Sequence, residues 1–255
     1  MKIQRNTIHI SDLLESAFLL LSGAYLMYLR LTGGLLYYIR PDYDLFTFLM
    51  GIALFVAGSV SIILIFNVPK PRKLVWDVSF KKLLVLICIS AALIIGIVIP
   101  KRALSSATAL RRGSNQNSAV NNTFKSSAEL VNYLSSSSLT GKSITNTYNI
   151  SDWIGLFQID PEPETYKGKT VNVEGFVQPQ RDGTFMVTRF VISCCIADAT
   201  PIGLLVDRKL EHLKADDWVI VKGVFEVKTI NGSRQDVIKP DSIELTSAPG
   251  DPYLY

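Results

Sequence analysis

Residue types able to do chemistry are concentrated in one stretch, RFVISCCIADATP (189–201), which spends two of the chain's three cysteines on neighbouring positions. Such a pair suits a metal site, a redox switch, a nucleophile or the packing of a small core. The stretch is apolar and β-branched, so it reads as a strand, on which successive side chains point to opposite faces. Phe190, Ile192, Cys194 and Ile196 then share one face, and Val191, Ser193, Cys195 and Ala197 the other. On an unbroken strand Cys194 packs as a small buried hydrophobe and Cys195 points outward. A bulge or a strand end near Cys195 turns both sulfurs to one side. Asp198 and His212 are then the further ligands at hand, because His9 precedes the first apolar span. Two thiolates, a carboxylate and an imidazole suit zinc or copper. The spacing matches no standard metal motif, and adjacent cysteines form a disulfide only with distortion of the peptide between them.

Catalytic constellations are thin. A Cys195–His212 pair has no third group to orient it, and the chain has no phosphate-cradling glycine loop and no serine elbow. Asp160, Glu162 and Glu164 alternate with prolines in QIDPEPETY, as in a solvated extended segment. The expectation is therefore a protein that is not an enzyme.

The elements that must carry these residues fall into two contrasting halves. Residues 1–150 hold 15 Lys+Arg against 6 Asp+Glu, and residues 151–255 hold 11 against 16. Phe46–Phe66 is an uncharged run of 21 residues, long enough to cross a ~30 Å hydrocarbon core as a helix. Leu83–Ile99 and Leu13–Leu29 read as two further spans, so three transmembrane helices are expected in residues 1–102 (about 13–29, 46–66 and 83–99), embedded in the lipid bilayer. Asp12 and Glu15 have the spacing of a helix cap at the start of the first. Ala53, Ala57 and Ser61, and Ala92 and Gly96, form small-residue rows of the kind that lets helices approach in lipid. The loop Asn67–Lys82, with five basic residues, faces the cytoplasm by the positive-inside rule. That sets the N-terminus inside the cell membrane and the C-terminal domain outside the cytoplasm.

Residues 103–150 are rich in Ser, Asn and Thr and read as a flexible linker, with a short helix at Ala128–Leu134. Residues 151–255 read as all-β: strands at Thr170–Gln178, Thr184–Cys195, Pro201–Asp207, Trp218–Val227 and around Val237–Leu245, with a short helix at Lys209–Leu213. Five strands in this order suggest a small OB-like barrel. OB barrels that bind single strands need a basic groove with stacking aromatics. Here the domain is acidic, and Phe176, Phe185, Phe190, Trp218 and Phe225 occur singly, so no nucleic acid is expected as a partner.

The segments YKGKTVNVEGFV (166–177), RFVISCCIADATPIGLLV (189–206), DWVIVKG (217–223) and the terminal PYLY (252–255) resemble the YcgQ-like family of permease subunits. The family hallmark falls on Cys194, Cys195, Ala197, Asp198 and Pro201. The resemblance implies an accessory subunit beside a larger multi-span permease, with a link to metal handling. Two alternatives stand beside it: a membrane-anchored metal- or redox-binding module using Cys194 and Cys195, and a structural membrane protein whose barrel binds another protein.

Overall fold

The computed structural model describes residues 7–67, 73–75, 84, 87, 90–91, 94–98, 101–113, 148–230 and 232–255. The chain divides into two compact units, Met1–Arg102 and Ala103–Tyr255.

The first unit is built on two long apolar helices, α1 (Ile10–Leu31) and α2 (Asp44–Phe66), with a short strand β1 (Thr7–His9) pairing in parallel with β2 (Lys73–Val75). Both helices are long and apolar enough to cross a membrane. Of the third expected span, only residues 84, 87, 90–91 and 94–98 are described, and these are helical. The Tyr25 hydroxyl donates to the Gly96 carbonyl at 2.6 Å, which sets this segment beside α1.

The seam between α1 and α2 differs from the expected row. Ala53 and Ala57 are exposed, and Gly51 and Gly58 are buried against α1. A Cβ on Gly58 would lie 2.7 Å from the Leu20 nitrogen and 2.9 Å from the Ser16 oxygen. One on Gly23 would meet the Gly51 oxygen and Phe55 nitrogen at 2.5 Å. The backbones therefore touch only because no side chain intervenes. Ser16 and Ser61 close the seam with a 2.7 Å hydrogen bond. Asp12 lies within the first turn of α1, which begins at Ile10, and Glu15 is exposed, so the pair does not form the expected cap.

The second unit is a closed five-stranded β-barrel. Its strands are β3 (Thr170–Pro179), β4 (Phe185–Val191), β5 (Thr200–Val206), β6 (Trp218–Ile230) and β7 (Ser233–Thr246). They pair in the order β3–β6–β7–β5–β4, and β4 returns to β3 to close the barrel. Neighbours are antiparallel except β5 and β7, which meet in parallel at Val206 and Ile238. A sixth short strand, β8 (Tyr253–Leu254), adds in parallel to the end of β4.

The barrel interior follows from the period-two pattern. Val171, Val173 and Val177, Phe185 and Val187, Ile202, Leu204 and Val206, Val219 and Val221 point inward and are almost fully buried. Two helices, α3 (Ser106–Arg111) and α4 (Ile150–Ile159), pack on this barrel. The start of α4 is a capping box: the Asn149 side chain accepts from the Asp152 N–H, and the Asp152 carboxylate accepts from the Asn149 N–H. The helix then delivers Trp153, wholly buried, edge-on to Phe225 at 4.8 Å.

Two local expectations are corrected and a third is not tested. Residues 103–113, given to the flexible linker by composition, carry α3 with Ala109 fully buried among Phe176, Phe190, Ile192, Ala199, Trp218 and Tyr253. The helix at Ala128–Leu134 lies outside the described residues. The helix expected at Lys209–Leu213 is irregular loop instead. Its chain is held open there, with the Leu210 N–H given to the Gly183 carbonyl.

One buried carboxyl makes the fold pH-sensitive. Burial, then Glu164 and Glu162, push Asp236 on β7 up to about 7. An unfolded Asp titrates at ~3.9, so between these values the folded chain keeps a proton that the unfolded chain has lost. The contribution of Asp236 to stability is therefore full below about pH 4, falls as pH rises to about 7, and is level above that. Asp236→Asn is expected to raise the unfolding temperature of the full chain at pH 7.5, with variant and wild type converging near pH 4. Tryptophan fluorescence followed through thermal unfolding reads this, and equal pH slopes for the two proteins would contradict it.

Candidate functional site

The strand that leads into the cysteines ends earlier than its sequence pattern predicts. β4 stops at Val191, four residues short of Cys195, so alternation does not extend through the pair. Cys194 is exposed and Cys195 half-buried, which overturns the reading of Cys194 as a buried core residue. The cause lies in Asp198. Its Oδ1 accepts the Ser193 N–H at 3.0 Å and its Oδ2 accepts the Cys194 N–H at 2.8 Å. These two bonds take the backbone donors out of the ladder and fold the chain into a turn.

The turn continues as a single 3-10 helix, Ile196–Asp198, with Cys195 extended at its start. The Asp198 N–H donates to the Cys195 carbonyl at 3.1 Å, and β5 begins at Thr200. Of the family-signature residues, Ala197 lies exposed in the 3-10 helix and Pro201 lies in β5 opposite Phe190. Both sulfurs consequently turn to one side, with the Cys194 and Cys195 Sγ atoms 3.5 Å apart. These two sulfurs and an Asp198 carboxylate oxygen lie within 4.8 Å of one another.

His212 is not brought to them. It lies exposed on the loop between β5 and β6, two residues from Leu210, which is bonded to Gly183 before β4 begins. The seven residues of β4 separate that end of the barrel from the cysteine turn, a distance on the order of 20 Å. The structure therefore does not bring His212 to the other three residues expected to ligate zinc or copper, and the three that lie together are Cys194, Cys195 and Asp198.

Asp198 and the Cys194 thiol act on each other. The hydrogen bond with Asp198, then that with Cys195, pushes the Cys194 thiol up to about 12. Burial works against the Asp198 carboxylate, but the Cys194 thiol and the backbone N–H groups outweigh it and hold it below its ordinary range. The turn therefore presents a carboxylate beside a thiol that holds its proton more tightly than a free cysteine does.

Residues that sequence reasoning passed over hold this turn from both sides. On one side, Arg112 follows α3 and its Nη1 donates to the Ile196 carbonyl at 3.2 Å and to the Ala199 carbonyl. The other end of α3 is tied down by Asp216, whose Oδ1 accepts the Ser106 N–H. Asp216 adopts a positive φ of 72° to do so. On the other side, the Ile192 N–H donates to the Leu254 carbonyl at 3.0 Å, so the C-terminal strand β8 pins the exit from β4.

β8 is itself anchored by Arg189. This buried guanidinium donates Nε to the Pro252 carbonyl at 3.1 Å and Nη2 to the Asp251 carbonyl at 3.1 Å. It also pairs with Glu174 at 3.4 Å and lies over the Trp218 ring at 5.0 Å. Burial lowers its pKa, but an arginine stays charged throughout the accessible range. A signal for it exists in the sequence: a lone charge in the run FMVTRFVI, where a strand buried on both faces needs a partner for it.

Two family models match the chain, described as the DUF1980 N-terminal domain over residues 14–115 and the DUF1980 C-terminal domain over residues 126–255. No curated protein and no solved structure matches it. The C-terminal model alone spans more than half of the chain and includes the whole cysteine turn, its barrel and the tail that pins it. The chain therefore belongs to the DUF1980 family.

Proposed function

We propose that this protein is a membrane-anchored metal-binding protein whose barrel carries one ion of zinc type on Cys194, Cys195 and Asp198. The observation that supports it is the convergence of two thiols and a carboxylate within 4.8 Å on a turn held by its own backbone. The sulfur separation argues for the kind of ion. With metal–sulfur bonds of ~2.3 Å, sulfurs 3.5 Å apart subtend an angle of about 100° at the ion, close to tetrahedral. A two-coordinate copper(I) ion asks instead for sulfurs on opposite sides. Binding would draw the proton from each thiol, and the ion's double charge supplies the compensation that Cys194 lacks without it.

The strand order, with its single parallel contact between the third and fifth barrel strands, also supports the OB type for this barrel. The helices α1 and α2, with the apolar run at 83–99 as a third span, would hold the barrel at the membrane. The basic loop 67–82 supports an orientation with the N-terminus cytoplasmic and the barrel outside. A reporter fused at the C-terminus distinguishes the two orientations, with the fusion expected to be active outside the cytoplasm and silent inside it.

A second reading, an accessory subunit docked on a larger multi-span permease as in the YcgQ-like proteins, is favoured by one observation. Ala53 and Ala57, a small-residue pair one turn apart on α2, are exposed and unused in the contact with α1. A partner helix can approach closely there. Purification of the full chain from membranes in mild detergent should then retrieve a polytopic protein, and Ala53→Leu with Ala57→Leu should release it. Recovery of the chain alone would count against docking.

The metal reading is tested by elemental analysis of the full-length protein, purified reduced and equilibrated with zinc. About one zinc per chain is expected, falling at least tenfold in Cys195→Ser and in Cys194→Ser while the barrel unfolds at an unchanged temperature. Equal zinc content in the wild type and in the double serine variant would overturn it.

A further inference from the structure

We infer that the cysteine turn is an exchange site: the chain supplies three donors, and the fourth comes from a thiolate or imidazole of a second protein. This rests on the metal reading above and adds how the ion comes and goes. The first argument is the supply of ligands. A structural zinc site is closed by four sulfur or nitrogen donors, and a second soft donor set is missing from this unit. Between residues 103 and 255 the sequence holds only Cys194, Cys195 and His212 among cysteines and histidines. His212 sits at the far end of β4. The remaining pair, Cys88 and His9, belongs to the first unit.

The second argument is access. Cys194 and Asp198 are exposed and Cys195 is half-buried, and the groups that hold the turn bind its backbone. Arg112 spends its Nη1 on the carbonyls of Ile196 and Ala199, and Leu254 takes the Ile192 N–H. A protein-borne donor can therefore reach an ion on the open side. A hydrolytic site also keeps an open position, but it needs a general base beside the bound water. The carboxylate that groups with the two sulfurs among the described residues, Asp198, is already assigned as a ligand.

The exchange balances simply. The incoming thiolate or imidazole donates a lone pair to the ion at the open position. A sulfur of the turn then dissociates and takes a proton from solvent, and the ion keeps its charge throughout.

Cobalt(II) is the probe. The reduced full-length protein is loaded with one equivalent of cobalt(II) and titrated with free imidazole while the visible spectrum is followed. The expected result is a thiolate-to-cobalt charge-transfer band that persists while the d–d bands shift to a new end point with one imidazole per ion. His212→Ala is expected to give the same spectra before and after imidazole. A spectrum that ignores imidazole, or one that only fades as the ion is stripped, would show a closed site and overturn the inference. So would loss of the tetrahedral d–d bands in His212→Ala. Absence of any thiolate band in the wild type would be a different failure, removing the metal reading and the inference with it.

Discussion

The arrangement at the end of β4 depends on one interaction, the capture of two consecutive backbone N–H groups by the Asp198 carboxylate. An extended strand sends adjacent side chains to opposite faces, so two neighbouring cysteines in a strand cannot share a ligand. Asp198 removes that constraint by taking the Ser193 and Cys194 donors for itself, which ends the ladder and starts the 3-10 helix. The same carboxylate is then left facing the sulfurs with lone pairs to spare. A single side chain thus makes the turn and stands beside both sulfurs. Asn would offer one oxygen and one NH2 group, and could not give each N–H an oxygen of its own. Glu would set its carboxylate one methylene further from the backbone it holds.

The rest of the barrel stiffens that turn. α3 bridges from Asp216 to the carbonyls of Ile196 and Ala199, with Ala109 small enough to lie flat against Phe176, Phe190 and Trp218. The C-terminal strand closes the opposite side, held by a guanidinium that satisfies the carbonyls of Asp251 and Pro252. Burying an arginine is costly unless its donors are used, and here they are used on backbone that otherwise has no partner in the sheet. The terminal PYLY is part of the site's architecture for this reason.

Much of the fold was legible from periodicity, and the exceptions have physical causes. The apolar runs gave α1 and α2, and period-two alternation gave β3, β5 and β6 to within a few residues. β4 was read too long because Ile192, Cys194 and Ile196 keep the alternation of a strand after the backbone has left it. No pattern of side-chain polarity reports which carbonyls and N–H groups an Asp has claimed. The small-residue row divides: Ser61 enters the α1–α2 seam, and Ala53 and Ala57 do not. Alanines at four-residue spacing look like a contact row, but the glycines Gly51 and Gly58, seven apart, allow the closer approach and win the contact. α3 was hidden because Ser, Ala and Thr lack the apolar mass that marks an amphipathic helix. It is recruited by Asp216 and Arg112, which only the fold brings together. His212 was grouped with the cysteines by elimination, and the direction of β4 separates them.

The central claim is a two-sulfur coordination shell on this turn, and X-ray absorption at the zinc edge of the zinc-loaded full-length protein measures it directly. The account predicts two sulfur scatterers at ~2.3 Å together with oxygen or nitrogen scatterers at ~2.0–2.1 Å. A shell made only of oxygen and nitrogen, or one of four sulfurs, would contradict it.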